Sequence, residues 1–101
     1  MISRIGVQPV ISSASAAMGR QSYLVTATVD GEQTASPNVV ACSNDLSLAG
    51  NMNLIHWDGQ DAPFRVYKSV EGVFGLIGET DEKQMIDDNI LPDLTKQPPS
   101  A

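Results

Sequence analysis

The sequence predicts an all-β chain folded as an antiparallel β-sandwich, and three observations lead there. Apolar side chains recur with a two-residue period in short runs, turn residues interrupt them about every ten positions, and no segment carries a helical period. A length of 101 residues fits one domain with a single two-layer core. Charged residues make up only 18% of the chain, and the other polar residues are mostly Ser, Thr, Asn and Gln. That mix suits strands and turns and disfavours helices laced with Glu–Lys pairs.

Taken in order, residues 1–20 read as an N-terminal arm or linker. Ile5, Val7 and Pro9 suit a short edge strand, where proline is tolerated, while the Ser/Ala run from Ser12 to Ala17 has no side chain able to anchor a core. A flexible linker and a segment laid on a neighbour are both compatible with it. The sandwich domain is expected over residues 21–91. "SYLVTATV" is its clearest strand, with Tyr23, Val25, Ala27 and Val29 alternating with Leu24, Thr26 and Thr28. Asp30–Gly31 then offers the positive φ angles of a tight hairpin turn, and the return strand is broken by Pro37 and resumes over 38–43.

After the turn-rich "NDLSLAGNMN", Ile55 and Trp57 share one strand face and Leu54 and His56 the other. "FRVYKSV" sets Phe64 and Val66 together, in register with Lys68, whose apolar stem can cover them. "FGLIGET" places Phe74 and Leu76 on one face, "QMIDDNI" is a last short strand, and residues 92–101 form a proline-rich C-terminal tail. Trp57, Ile55, Phe64, Val66, Tyr23 and Val25 are the predicted core.

Charge and cysteine content narrow the function classes. The net charge is −6. Residues 1–50 carry two basic and three acidic side chains, a net of −1, and residues 51–101 carry four basic and nine acidic ones, a net of −5. There is no basic stripe to follow a phosphate backbone, so nucleic acid is not an expected partner. No apolar run reaches transmembrane length and no leader pattern opens the chain, so no membrane is expected as a partner either. The lone Cys42 allows no intrachain disulfide, in keeping with a reducing cytoplasm.

"LIHW…APFRVYKSVEGVFGLIGET…MIDD" resembles the first half of a fibronectin type III domain, with Ile55 and Trp57 as its hydrophobic-x-Trp strand and Phe64, Val66 and Tyr67 on the next. "YLVTATVDGEQTASP" resembles the late hairpin of the same family, with Tyr23 as its tyrosine. Here the hairpin comes first, which leaves three arrangements open: a segment straddling two tandem modules, a permuted sandwich, or neighbouring subunits exchanging strands. Over residues 22–99 the order of these motifs, ending in "DDNILPD…PP", is also similar to modules of tail and other virion proteins of tailed bacteriophages. That resemblance implies a noncatalytic structural module, tail- or capsid-attached. It would be made in the bacterial host cytoplasm, carried in the virion, and assembled with other virion subunits or copies of itself. The competing class is a surface adhesion module binding a host glycan or receptor through loops 58–63 and 70–73, with Tyr67 as its outward aromatic.

The residue types capable of chemistry are few, and each has a plain structural reading. His56 is the only histidine, so a metal site or nucleophile would need Cys42 as its partner, and strand alternation puts His56 at the surface. Asp87, Asp88, Asn89 and Asp93 are oxygen ligands of the kind calcium takes, but without the spacing of a calcium loop, and they suit turn formation better. Gly72, Gly75 and Gly78 do not match a dinucleotide fingerprint. Gly72 suits a turn; Gly75 and Gly78 suit a bulge or close packing against Trp57. Asp58 and Asp61 fall in a stretch of turn composition. No catalytic, metal or cofactor site is therefore expected, and contacts are expected at edge strands, loops and the N-terminal arm, in a homo-oligomer or larger assembly.

Overall fold

A computed structural model describes residues 2–13, 18–35, 39–60 and 62–99. Its eight strands are β1 (Ile2–Val10), β2 (Gly19–Val29), β3 (Glu32–Ala35), β4 (Val40–Asn44), β5 (Met52–Gly59), β6 (Phe64–Ser69), β7 (Gly75–Thr80) and β8 (Gln84–Asp87), and no helix occurs among the described residues. They form an all-β, antiparallel sandwich. One sheet has the order β1-β5-β8; the other runs β3-β2-β6-β7, with β4 also paired to β2.

Hairpin chemistry sets the first register. Asp30 and Gly31 both have positive φ, 51° and 82°, and place Val29 opposite Glu32. The return strand comes in two collinear pieces: β3 pairs with Thr26–Val29, and β4 pairs further along β2, from Gly19 to Tyr23. β3 ends at Ala35 and β4 begins at Val40; the break predicted at Pro37 lies outside the described residues.

The core follows the predicted alternation. Tyr23, Val25 and Ala27 of β2 face Ile55 and Trp57 of β5, with Phe64 and Val66 of β6 beside them, and all seven are buried. Trp57 and Phe64 meet edge to face, with centroids 5.6 Å apart and planes at 67°, the arrangement that sets a ring's positive edge on its neighbour's negative face. Each fully buried large side chain contributes roughly 1.5–3 kcal/mol, so the six predicted core residues are the main apolar adhesive of the sandwich.

The N-terminus is not an arm. β1 pairs with β5 from Ile2↔Gly59 to Val10↔Met52, Ile2 is fully buried, and Ile5 and Val7 pack on the core. Ile5, Val7 and Pro9 do form an edge strand, as predicted, but one of nine residues that the sheet requires. The segment after it is tied down as well: Asn51 Oδ1 accepts the amides of Ser12 (2.8 Å) and Ser13 (3.0 Å), and Asn51 Nδ2 donates to Ser13 O. Most of the Ser/Ala run, residues 14–17, lies outside the described residues.

The other end is corrected too. Phe74 precedes β7, and within β7 Ile77, on the face opposite Leu76, packs against the core; a register shift falls between Val66 and Tyr67 in the pairing with β6. The proline-rich tail is not free: the amide and carbonyl of Asp93 both bond Leu76, capping the outer edge of β7. The pairing steps from Val66↔Gly78 to Tyr67↔Leu76, an irregularity in keeping with the bulge expected at Gly75 and Gly78, and the nearest neighbours of the two glycines are not Trp57 but Asp93 and Met85. A Cβ on Gly75 would lie 2.8 Å from the Asp93 carbonyl carbon, and one on Gly78 would lie 2.6 Å from Met85 Cε. Asp58 belongs to β5, opposite Arg4, rather than to a loop, and Asp61 lies outside the described residues.

Candidate functional site

The inward alternation does not stop at the apolar residues. One step beyond Tyr23 on β2 lies Gln21, one step beyond Ile55 on β5 lies Asn53, one step beyond Val66 on β6 lies Lys68, and Met85 on β8 is followed by Asp87. All four polar side chains are buried, at the same end of the sandwich. Their hydrogen bonds join the two sheets.

Lys68 Nζ lies 2.8 Å from Asp87 Oδ2 and donates to Ile90 O at 3.0 Å. Tyr23 donates its hydroxyl proton to Asp87 Oδ2 (2.5 Å) and accepts from Asn53 Nδ2 (2.7 Å). Asn53 also donates to Gln21 Oε1 and accepts from Asn44 Nδ2, which in turn reaches the carbonyls of Val10 and Met52. The second oxygen of Asp87 receives the amides of Asn89 (3.1 Å) and Ile90 (2.8 Å). Burial pushes the Tyr23 phenol well above its ordinary range; the Asn53 hydrogen bond opposes this, and the Asp87 carboxylate adds to it. Asp87 thus meets its charge and acceptor needs inside the protein, which lets a carboxylate sit at 0% exposure.

This cluster gathers three buried titratable side chains, Tyr23, Lys68 and Asp87, and its geometry is that of a tie between sheets. The Lys68–Asp87 pair is enclosed, and the surface grooves described below are lined by other residues. Of the predicted candidates, Asp87 joins the cluster as the turn-former expected of it. Asp93 likewise holds a local turn, accepting the Thr95 amide and hydroxyl, which lowers its carboxyl below the usual range. Asp88 and Asn89 are exposed. Among the described residues no group of three or more His, Cys, Asp or Glu side chains is placed to hold a metal ion.

His56 and Cys42 are not brought together. His56 is exposed on the outer face of its sheet, its ring over Gly6, where a Cβ would lie 2.5 Å from Cε1. Cys42 sits half-buried on β4 in the opposite sheet, packed against the core, and burial followed by the nearby Asp87 charge pushes its thiol up. Tyr67, expected to face outward as an adhesive aromatic, is 1% exposed and donates its hydroxyl proton to Gln33 Oε1 at 2.5 Å. Thr95, Lys96 and Gln97 line the surface beside it.

The surface is distinctive elsewhere. Of eight exposed large hydrophobic residues among the described residues, five (Val39, Val70, Val73, Leu91 and Leu94) line two shallow grooves that share Val70 and Glu71. Leu91 is 88% exposed. The ridge is held from both sides. The turn after β6 is closed by the Gly72 amide bonding Ser69 Oγ at 2.8 Å, with Gly72 at φ 90°, where L side chains are strained, and this turn projects Val70 and Val73 outward. Opposite it, residues 91–96 are fixed by Asp93 on Leu76 and by the Lys96 amide bonding Asp93 O. Sequence reasoning placed contacts at loop 70–73 but missed Leu91 and Leu94, two large apolar residues set among Pro92, Asp93 and Thr95, which was the available signal.

Comparison with known proteins finds no matching family model, curated protein or solved structure.

Proposed function

We propose that this chain is a noncatalytic structural module of a tailed-phage or prophage virion, tail- or capsid-attached, working through protein–protein contacts. The observation that carries the reading is the ridge of Val39, Val70, Val73, Leu91 and Leu94, apolar, contiguous and held in place by backbone hydrogen bonds. Apolar surface gathered in this way, rather than scattered singly, marks a place where another macromolecule docks. The residues able to do chemistry support the same reading, because Lys68, Asp87 and Tyr23 are spent on joining the sheets. The hairpin-first order closes within one chain, β2 on β6 and β5 on β1, which favours a permuted fibronectin type III-like sandwich over a strand-exchanged one. The glycan-adhesion alternative loses its one named aromatic, since Tyr67 is buried.

The test is the protein composition of phage particles, purified by density gradient from the bacterium that carries the gene and read by mass spectrometry. The chain is expected in intact particles at a constant ratio to the major structural proteins. Its absence from particles that are otherwise complete overturns the virion assignment.

A further inference from the structure

Building on the assembly reading, we propose that the apolar ridge is the contact surface of a symmetric homodimer, in which Arg20 of each copy pairs with Glu71 of the other. Three observations lead to a second copy as the occupant.

The ridge is already shaped. The Ser69–Gly72 turn and the Asp93–Leu76 bridge fix it in the single chain, so docking needs little ordering of backbone, which is the main cost that preorganisation removes. Its charge pattern is self-complementary. The groove containing Val39 and Val70 carries one cation, Arg20, and one anion, Glu71, both exposed, and neither makes an ion pair among the described residues. A two-fold axis sets each residue of a patch against its counterpart's neighbour, so a patch with one charge of each sign matches itself, Arg20 to Glu71 and Glu71 to Arg20. The apolar residues also lie on both flanks of that pair, with Val39 and Phe74 in one groove and Val73, Leu91 and Leu94 in the other, so the ion pairs would be surrounded by excluded water.

The net charge of −6 works against any self-association. At physiological salt, however, charges farther apart than about 8 Å are largely screened. A basic partner protein would suit the overall charge but would meet Arg20 in the groove. The local pattern therefore favours the second copy.

The experiment is light scattering and sedimentation velocity over a wide concentration series, on the parent chain and five variants. The parent is expected to be a dimer. Val73→Asp and Leu91→Asp are expected to be monomers that melt like the parent, because both positions are exposed in the single chain. Arg20→Glu and Glu71→Arg should each weaken the dimer about tenfold or more (~1.4 kcal/mol), and the double exchange should restore it. A parent that stays monomeric throughout overturns the dimer, as does an oligomer that ignores Leu91→Asp or a double exchange that fails to rescue. These outcomes are separable from the virion assignment: a monomer found in phage particles sinks the dimer alone, and a dimer missing from particles sinks the virion assignment alone.

Discussion

Lys68 Nζ and Asp87 Oδ2 lie 2.8 Å apart in the protein interior, and each comes from a different sheet. The pair is therefore an electrostatic bolt through the sandwich. Replacing Asp87 with Ala leaves a buried ammonium whose remaining partner is the Ile90 carbonyl. A destabilisation of about 3–5 kcal/mol is expected in urea unfolding, whereas the paired change Lys68→Met with Asp87→Leu should cost much less. A single-variant loss below about 1 kcal/mol would show that the pair does not hold the sheets together.

Tyr23 ties alkaline stability to the same cluster. Its pKa in the folded protein is raised, chiefly by burial, so the folded state keeps the phenolic proton at a pH where the unfolded chain, near pH 10, has released it. Its contribution is complete below pH 10 and declines above it. Tyr23→Phe should cost about 1–2 kcal/mol at neutral pH by leaving buried Asn53 and Asp87 each one hydrogen bond short. The variant should also show a flatter loss of stability above pH 10, and urea midpoints collected against pH for both proteins decide this.

Trp57 is the only tryptophan and is 3% exposed. Trp57→Ala removes the ring that meets Phe64 and should cost about 3–5 kcal/mol. In the parent, the fluorescence of this residue should shift to longer wavelength in a single step that coincides with the loss of sheet structure by circular dichroism.

The correction at the N-terminus changes what a truncation measures. Deleting residues 1–10 removes β1, leaves Ile55 and Trp57 on a strand with one neighbour, and takes the buried Ile2 out of the core. The shortened chain is expected to lose its cooperative melt and its dispersed amide spectrum. A truncated chain that still folds would return the segment to the status of an arm.

At the opposite end, Gly75 lets the 92–97 segment approach β7. Gly75→Ala would set a Cβ 2.8 Å from the Asp93 carbonyl, and backbone rather than a flexible side chain must give way. Hydrogen exchange at the Leu76 and Asp93 amides should accelerate about tenfold or more, while amides of β2 and β5 keep their protection.

Much of this was legible in the residues. The two-residue period of "YLVTATV" and of Ile55/Trp57 assigned the core faces, because a pleated strand leaves side chains no third direction. The Asp-Gly hairpin was legible because few residues tolerate positive φ. Of the polar cluster, Lys68 was legible as the inward continuation of Phe64 and Val66, and Asp87 as a turn-former, but their pairing was not. One inward step beyond Tyr23 and Ile55 reaches Gln21 and Asn53, polar residues whose burial depends on partners brought from the other sheet. The edge strand at Ile5, Val7 and Pro9 was legible, but its extent from Ile2 to Val10 was not. Its alternation is short and interrupted by Gly6 and Pro9, and it becomes a strand because β5 offers it an unpaired edge, a tertiary fact that local pattern does not contain. The fixing of the 92–97 segment depends in the same way on a close approach to Gly75.

The pairing of Ile2 with Gly59 has a consequence for biosynthesis. Of the strands in the first half of the chain, only β2, β3 and β4 have partners nearby in sequence, so a nascent chain can close the hairpin while β1 waits. β1 completes its register only after Gly59 has cleared the ribosome, and the Tyr23–Asp87 contact only after residue 87 has followed. Such distant contacts slow folding, since a long loop must be closed before any of them is rewarded. Until then an apolar strand and its bare backbone stand open to other copies under synthesis, a window in which a chaperone or an early partner would find them.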